Sequence, residues 1–390
     1  MKMIYKSFAI SLLALTTLSH TYNSQVSAKA KVSEHATQSV DDLRFIGSQT
    51  VPYNTQFDHT KVGGISGITY QPTTHRWLLI SDDRSEQNPS RFYEAKLNYN
   101  QNHFNKIKLQ SMHFLKQPNG SNYTNKNHYK DNPQDIVADP ESIRFDPLYK
   151  QIMYTSEGDR SLGLNPFIRL TSLQGDFITE IPISHTQKMD QHAKHGFRNN
   201  LALEGSTFSA DGHSIWTATE APLIQDGKSP TPTTEGLSRI TQYDRQGRLL
   251  NEYAYRLDAI PKSPGKGKEA ENDVSELLAI NNHEFLTLER ASVQSSDNSY
   301  HNYVRIYKIN TDQATDIKNQ ESLKQTKIHP VKKELIVDLN KEDIGHIDNI
   351  EGITFGKQLP NGHDSIVIVA DNNFNKAQKQ QFMAFEVIPK

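Results

Sequence analysis

The chain has 390 residues, no cysteine and nearly balanced charge, with 43 Lys and Arg against 45 Asp and Glu. That composition excludes disulfides, thiolate catalysis and cysteine-based zinc sites. It also provides no global charge to draw in nucleic acid or an anionic membrane.

The first residues read as an export signal. Lys2 and Lys6 are followed by an apolar run from Phe8 to Leu18, too short to span a bilayer. Small residues come next at Val26-Ser27-Ala28 and Ala28-Lys29-Ala30, the order of a secretory signal. Cleavage is expected after Ala28 or Ala30, leaving a periplasmic or extracellular protein that does not associate with the membrane. The expected organisation is a signal over 1–28, a flexible polar leader over 29–41 and a single β domain over 42–390. From Leu43 onward, short apolar runs rich in Ile, Val, Phe, Tyr and Thr alternate with Gly, Pro, Asn and Asp, which is the pattern of strands and turns. No window sustains a helical period over three turns.

A repeated unit runs through this region. Its copies are Gly64–Tyr70 leading to Leu78–Asp83, Asp139–Phe145 to Met153–Glu157, and Leu203–Phe208 to Ile215–Glu220. Two more follow, Asp273–Leu278 to Phe285–Glu289 and Asn349–Phe355 to Val367–Asp371. Ser66 and Asp82, Glu141 and Glu157, and Glu204 and Glu220 are each 16 residues apart, and the copies recur every 63 to 75 residues. That period suits a four-stranded propeller blade. Most copies are followed by two further strands. The fifth has only Gln381–Val387, and a strand near Arg44–Ile46 is expected to complete it and close the ring. The fold class is therefore an all-β propeller of five blades, or six if a weak copy is counted.

Each copy has a polar residue at the start of its first strand and another at the end of its second. Antiparallel pairing brings these ends together, so a propeller gathers all of them at one channel mouth. The longer connections, among them 116–138, 184–200, 221–235, 258–272 and 291–301, fall on the same face, and 310–333 falls on the other. A ring of Glu141, Glu157, Glu204, Glu220, Glu289, Glu351 and Asp371 repels itself and calls for raised pKa values or a cation. Hard oxygen ligands favour Ca²⁺ or Mg²⁺, and Ca²⁺ accepts the larger, irregular shell that a ring offers. Asp82 joins this set. Structural carboxylates that lock one blade to the next are the alternative for the same residues. Arg84, Arg160 and Arg290 each follow an acid closely and are candidates for bidentate phosphate binding. His192 and His195 make a weak His-x-x-His signal. Neither a Gly-x-Ser-x-Gly elbow nor a P-loop occurs.

Several segments resemble the bacterial phytase-like family with esterase-like activity. They are Gly196-Phe197-Arg198-Asn199-Asn200-Leu201-Ala202-Leu203-Glu204-Gly205, Asp139-Pro140-Glu141-Ser142-Ile143, Leu288-Glu289-Arg290 and Asn349-Ile350-Glu351-Gly352. The resemblance runs from about Gly63 to Val387 and implies hydrolysis of a small-molecule phosphate ester. Under it, Glu141, Glu204, Glu220 and Glu351 are the expected catalytic residues. Arg84, Arg160, Arg198 and Arg290 are the expected phosphate partners. Asp82, Glu157, Glu289 and Asp371 are the expected Ca²⁺ ligands. A monomer is expected, with the site centred on the copies that carry Glu141, Glu157, Glu204 and Glu220. A non-catalytic propeller that binds a ligand or partner is the competing expectation.

Overall fold

The computed structural model describes residues 39–190, 194–324 and 327–389. The export signal, the leader up to residue 38, and His192 lie outside these residues. Strands dominate the described residues, whose one α-helix, Lys126–Asp131, lies in the connection from blade 1 to blade 2. No helix among the described residues is long and apolar enough to cross a membrane.

Five four-stranded antiparallel sheets follow one another along the chain. Their first strands are Ile65–Gln71, Pro140–Asp146, Leu203–Phe208, Ala270–Ala279 and Asn349–Phe355. Each packs against the next, and the fifth returns to the first. The sheets are thus the blades of a five-bladed propeller, numbered here 1 to 5 in chain order, with these strands innermost. Blade 5 takes its outermost strand, Asp42–Val51, from the other end of the chain. That strand pairs antiparallel with Gln380–Ile388, setting Leu43 opposite Val387 and Phe45 opposite Phe385. Arg44 Nε donates to Glu386 across the same seam at 2.6 Å. Val40, in the stretch read as leader, is buried in the core between blades 4 and 5.

The blades are held by apolar layers between them. Successive side chains of a strand point to opposite faces, and the second strands use both. In Arg76–Ser81, Trp77 and Leu79 pack toward blade 5 while Leu78 and Ile80 pack toward blade 2. In Glu284–Gln294, Phe285 faces blade 3 while Leu286 and Leu288 face blade 5. Each such buried side chain contributes roughly 1.5–3 kcal/mol. The outermost strands, such as Phe104–Phe114, are half exposed. Blade 4 departs from the expected loop pattern. Residues 291–301, read as a connection, instead extend the hairpin, with Glu284–Gln294 pairing along its length with Tyr300–Asn310. Only residues 295–299 form the turn.

Candidate functional site

The inner strand of every blade carries a β-bulge at the same place. The register shifts between Ile65 and Gly67, Pro140 and Ile143, Leu203 and Gly205, Val274 and Glu276, and Ile350 and Gly352. Bulges interrupt alternation and re-aim a side chain. The residues at these bulges are Ser66, Glu141, Glu204, Ser275 and Glu351, and the three glutamates line one cavity. The following glycines allow close approach of the inner strands. A Cβ on Gly205 would lie 2.8 Å from Leu277 N, and one on Gly352 would lie 2.7 Å from Ser66 O.

Just beyond each bulge, the two strands meet at a second pair of positions. Asp82 N donates to Gly64 O at 2.7 Å, Glu157 N to Asp139 O at 3.1 Å and Glu220 N to Ala202 O at 2.8 Å. Asp273 pairs with Arg290, and Asn349 with Asp371. Three tiers of five positions therefore surround the channel mouth. They hold nine carboxyl groups: Asp82, Asp139, Glu141, Glu157, Glu204, Glu220, Asp273, Glu351 and Asp371, all buried or nearly so. Arg290 is the one cation at these positions. It stands in blade 4 where Asp82, Glu157, Glu220 and Asp371 stand in the others.

The mouth opens into a cavity of about 900 Å³. Two groups of acids each bring oxygens within 4.8 Å of one another: Asp139, Glu141 and Glu157, and Glu157, Glu204 and Glu220. Glu157 belongs to both, so the acids crowd in blades 2 and 3. Burial raises the pKa of all nine groups, and repulsion between neighbours adds to it for most. Glu157 is pushed up to about 8 by burial and the Asp139 charge. For Glu141, burial comes first and the Glu204 charge second. Asp82 Oδ1, Glu220 Oε2, both Asp273 oxygens, Asp371 Oδ1 and Arg290 Nε are buried without a hydrogen-bond partner among the described residues. Leaving such groups unsatisfied is costly. Either group of three acids could hold a metal ion, and hard anionic oxygens of this kind suit a hard divalent cation; the orphaned Glu220 Oε2 belongs to the second group.

Below the acids the channel is plugged. Glu276 and Ser142 take the position that glycine holds in blades 1, 3 and 5, and their side chains meet at the axis. Ser142 Oγ donates to Glu276 at 3.2 Å, and Arg144 Nη2 lies 2.8 Å from Glu276 Oε2. Arg144 also donates to Ser206 O, Ile68 O and Leu277 O at 2.6, 2.8 and 3.0 Å, tying blade 2 to blades 3, 1 and 4. Burial lifts Glu276 to about 7, against the pull of Arg144. The cavity is therefore a cup closed at its base.

The arginines divide. Arg290 Nη1 donates to Asn349 Oδ1 at 2.6 Å, and its Nη2 lies 3.6 Å from Glu220 and 3.9 Å from Glu351. Arg84 bridges to Asp139 of the next blade and to Asn200. Both line the cup. Arg160 and Arg198 do not. Arg160 donates to Asp190 O at 2.7 Å and to His195 O and Phe197 O, while Arg198 donates to Pro222 O at 2.9 Å and Gly227 O at 2.6 Å. They brace loops. Glu289 also points elsewhere, toward blade 3. It accepts from Tyr255 Oη at 2.6 Å and Asn272 Nδ2 at 2.9 Å, and pairs with Lys333. Glu157 and Asp371 sit buried beneath the cup wall. Asp83 caps its own loop through the backbone N–H groups of Glu86, Gln87 and Asn88. His195 lies 3.6 Å from Glu321 on the surface.

Several functional positions were not among the expected ones. Asp139 and Asp273 stand two residues before the bulge, a spacing visible in the sequence. Tyr300 reaches the rim on the extended blade 4 hairpin and is 54% exposed. Phe374 lines the rim in a left-handed conformation, φ 48°, beside Asn373 at φ 46°. A bulky residue there is strained. It is held by Asn372 Oδ1, which accepts from Gly64 N at 2.9 Å and Phe374 N at 3.1 Å. Its ring lies over Gly63 and Gly64, where side chains would collide with it.

A family model described as phytase-like, with esterase-like activity of phytase, matches residues 60–374. No curated protein matches the chain. Among solved structures, the catalytic domain of the Coprinopsis cinerea GH62 α-L-arabinofuranosidase aligns at 9% identity and TM-score 0.46, over 89% of this chain and 98% of that one. A thermostable family-43 glycoside hydrolase aligns at 12% identity and TM-score 0.41, over 83% and 88%. At these levels the likeness bears on neither reaction nor substrate.

Proposed function

The chain belongs to the phytase-like family, and from that premise we propose that it is an exported, monomeric hydrolase of phosphate esters acting in the acidic cup. One observation carries the reading. Nine carboxyl groups and Arg290 converge at one channel mouth, with oxygens and a guanidinium N–H left without protein partners.

Asp139, Glu157 and Glu220 would hold Ca²⁺ together with whichever of Glu141 and Glu204 is ionised, with Asp82 in the same wall and Asp371 buried beneath it. A bound cation supplies charge neutralisation at phosphoryl oxygens and a more acidic water. The remaining work falls to the chain. Arg84 and Arg290, which both line the cup, would attract and orient the phosphate by their charge. Glu141 is raised by burial and then by the Glu204 charge, and of these two carboxyl groups one would give a proton to the departing alkoxide while the other takes a proton from water. Glu220 and Glu351 flank Arg290 and fix its reach.

A second role is favoured for one member of the set. Glu157 accepts from Ala202 N of the next blade, so it also acts as a strut between blades 2 and 3. The reading is tested by assaying purified protein with 4-nitrophenyl phosphate and bis(4-nitrophenyl) phosphate, in Ca²⁺ and in chelator. Turnover that needs the cation is expected. A folded protein inert with every divalent cation would leave only the ligand-binding reading.

A further inference from the structure

Resting on the hydrolase reading above, we infer that the substrate is a phosphodiester of low net charge with an uncharged, hydroxylated arm, and not a polyol bearing many phosphates. The inference comes from counting what the cup wall offers an anion. Among the described residues, its cationic side chains are Arg84 and Arg290, with His346 at the rim, and no lysine lines it. Both guanidiniums are already engaged. Arg84 holds Asp139 and Asn200, and Arg290 stands among Glu220, Glu351, Glu271 and Asn349. What remains free is small. Arg290 Nε–H is unpartnered but buried, in a side chain only 9% exposed.

Any further phosphate on the substrate would meet acids instead. The rim adds Glu86, Glu271 and Asp348 to the carboxyl groups below. Two divalent cations in the two acid groups would offset four charges, not the whole wall. Each added phosphate thus faces like charge in a confined, low-dielectric cleft, where focusing changes encounter by tenfold or more.

The organic part of the substrate meets a different surface. Asn298, Asn302, Asn373, Asn375 and Gln378 supply uncharged donors and acceptors around the rim, a surface suited to hydroxyl groups. The cavity of about 900 Å³ is near the upper end of small-molecule sites, so a phosphate with an arm on each side fits.

In the reaction the water oxygen bonds to phosphorus and one P–O ester bond breaks. The water proton passes to a carboxylate and a carboxyl proton to the leaving oxygen. The products are an alcohol and a phosphomonoester with one more negative charge at neutral pH. The wall that admits the diester expels this product, so hydrolysis stops at the monoester.

The test compares bis(4-nitrophenyl) phosphate, 4-nitrophenyl phosphate and myo-inositol hexakisphosphate with the full chain in Ca²⁺. The diester is expected to exceed both others in kcat/KM by at least about tenfold. Phosphorus NMR is expected to show 4-nitrophenyl phosphate accumulating in step with 4-nitrophenol, without inorganic phosphate. E271K adds a cation at a rim position that is 44% exposed. It is expected to raise kcat/KM for hexakisphosphate by about threefold more than for the diester. Equal or faster turnover of the monoester or hexakisphosphate, or no selective gain in E271K, overturns this inference and leaves the hydrolase reading standing. Turnover of none of the three overturns both.

Discussion

Blades 2 and 3 fill with acids the positions that blade 4 fills with Ser275 and Arg290. In blades 2 and 3, Glu141, Glu157, Glu204 and Glu220 stand at the bulge and at the end of the second strand, where Glu157 clusters with Glu141 and Asp139 on one side and with Glu204 and Glu220 on the other. In blade 4 the bulge carries a hydroxyl, the strand end carries a guanidinium, and the spare carboxylate of Glu276 has moved down to the axial plug. One fivefold scaffold thus yields a lopsided site, with an acid-crowded side and a side that carries a guanidinium. Pseudo-symmetry sets where side chains point, and single substitutions within it set what each sector does.

Removing an acid from the crowded side should have the largest effect. E204Q is expected to lower kcat by about 10²-fold or more, as loss of an acid–base group does, with the melting transition still cooperative. Steady-state assays beside thermal melts read this. On the opposite side, R290Q is expected to cost about 10–100-fold in kcat/KM, mainly through KM, because the residue would orient phosphate and not exchange protons. The second figure is of the size seen when a charged contact to a bound anion is removed.

Breaking the plug should separate stability from chemistry. E276Q leaves Arg144 without its buried partner, at an expected cost of roughly 3–5 kcal/mol in chemical denaturation. The same variant carries a pH signature. Glu276 is raised in the fold from 4.5 to about 7, so its folded form binds more protons than the unfolded form between those values. Its contribution is fully present below about 4.5 and is lost as pH rises through about 7. E276Q should remove that part of the slope in stability against pH. The smallest effect on activity is expected at Glu289, one residue from Arg290. E289Q should destabilise by about 1–3 kcal/mol through Tyr255, Asn272 and Lys333, while kcat/KM stays within about twofold. A large loss of activity there would break the contrast between the two neighbours.

Much of the fold was legible because its signals are local. The five copies, their tight turns and the closing strand near Arg44 all follow from patterns within a few residues. The convergence of Glu141, Glu204, Glu220 and Glu351 also follows, because antiparallel pairing alone brings strand ends together. The blade 4 register did not follow, and the reason is physical. Its second strand is buried on both faces, with Phe285, Leu286 and Leu288 all apolar, so no alternation marks which of Glu289 and Arg290 faces the axis. Bulges hide the phase of the inner strands in the same way. The role of Arg144 was invisible for another reason. Its partners, Ile68, Ser206 and Leu277, are on three other blades and meet only when the ring closes.

The lopsided site stands or falls on whether the crowded acids of blades 2 and 3 hold a cation. Calorimetric titration of Ca²⁺ into metal-free protein tests it most directly, with E220Q and E289Q alongside the unmodified chain. Saturable binding is expected that E220Q weakens by at least about tenfold, in line with the loss of one charged ligand, and that E289Q retains. Absence of binding to the folded protein, or equal binding by E220Q, would contradict it.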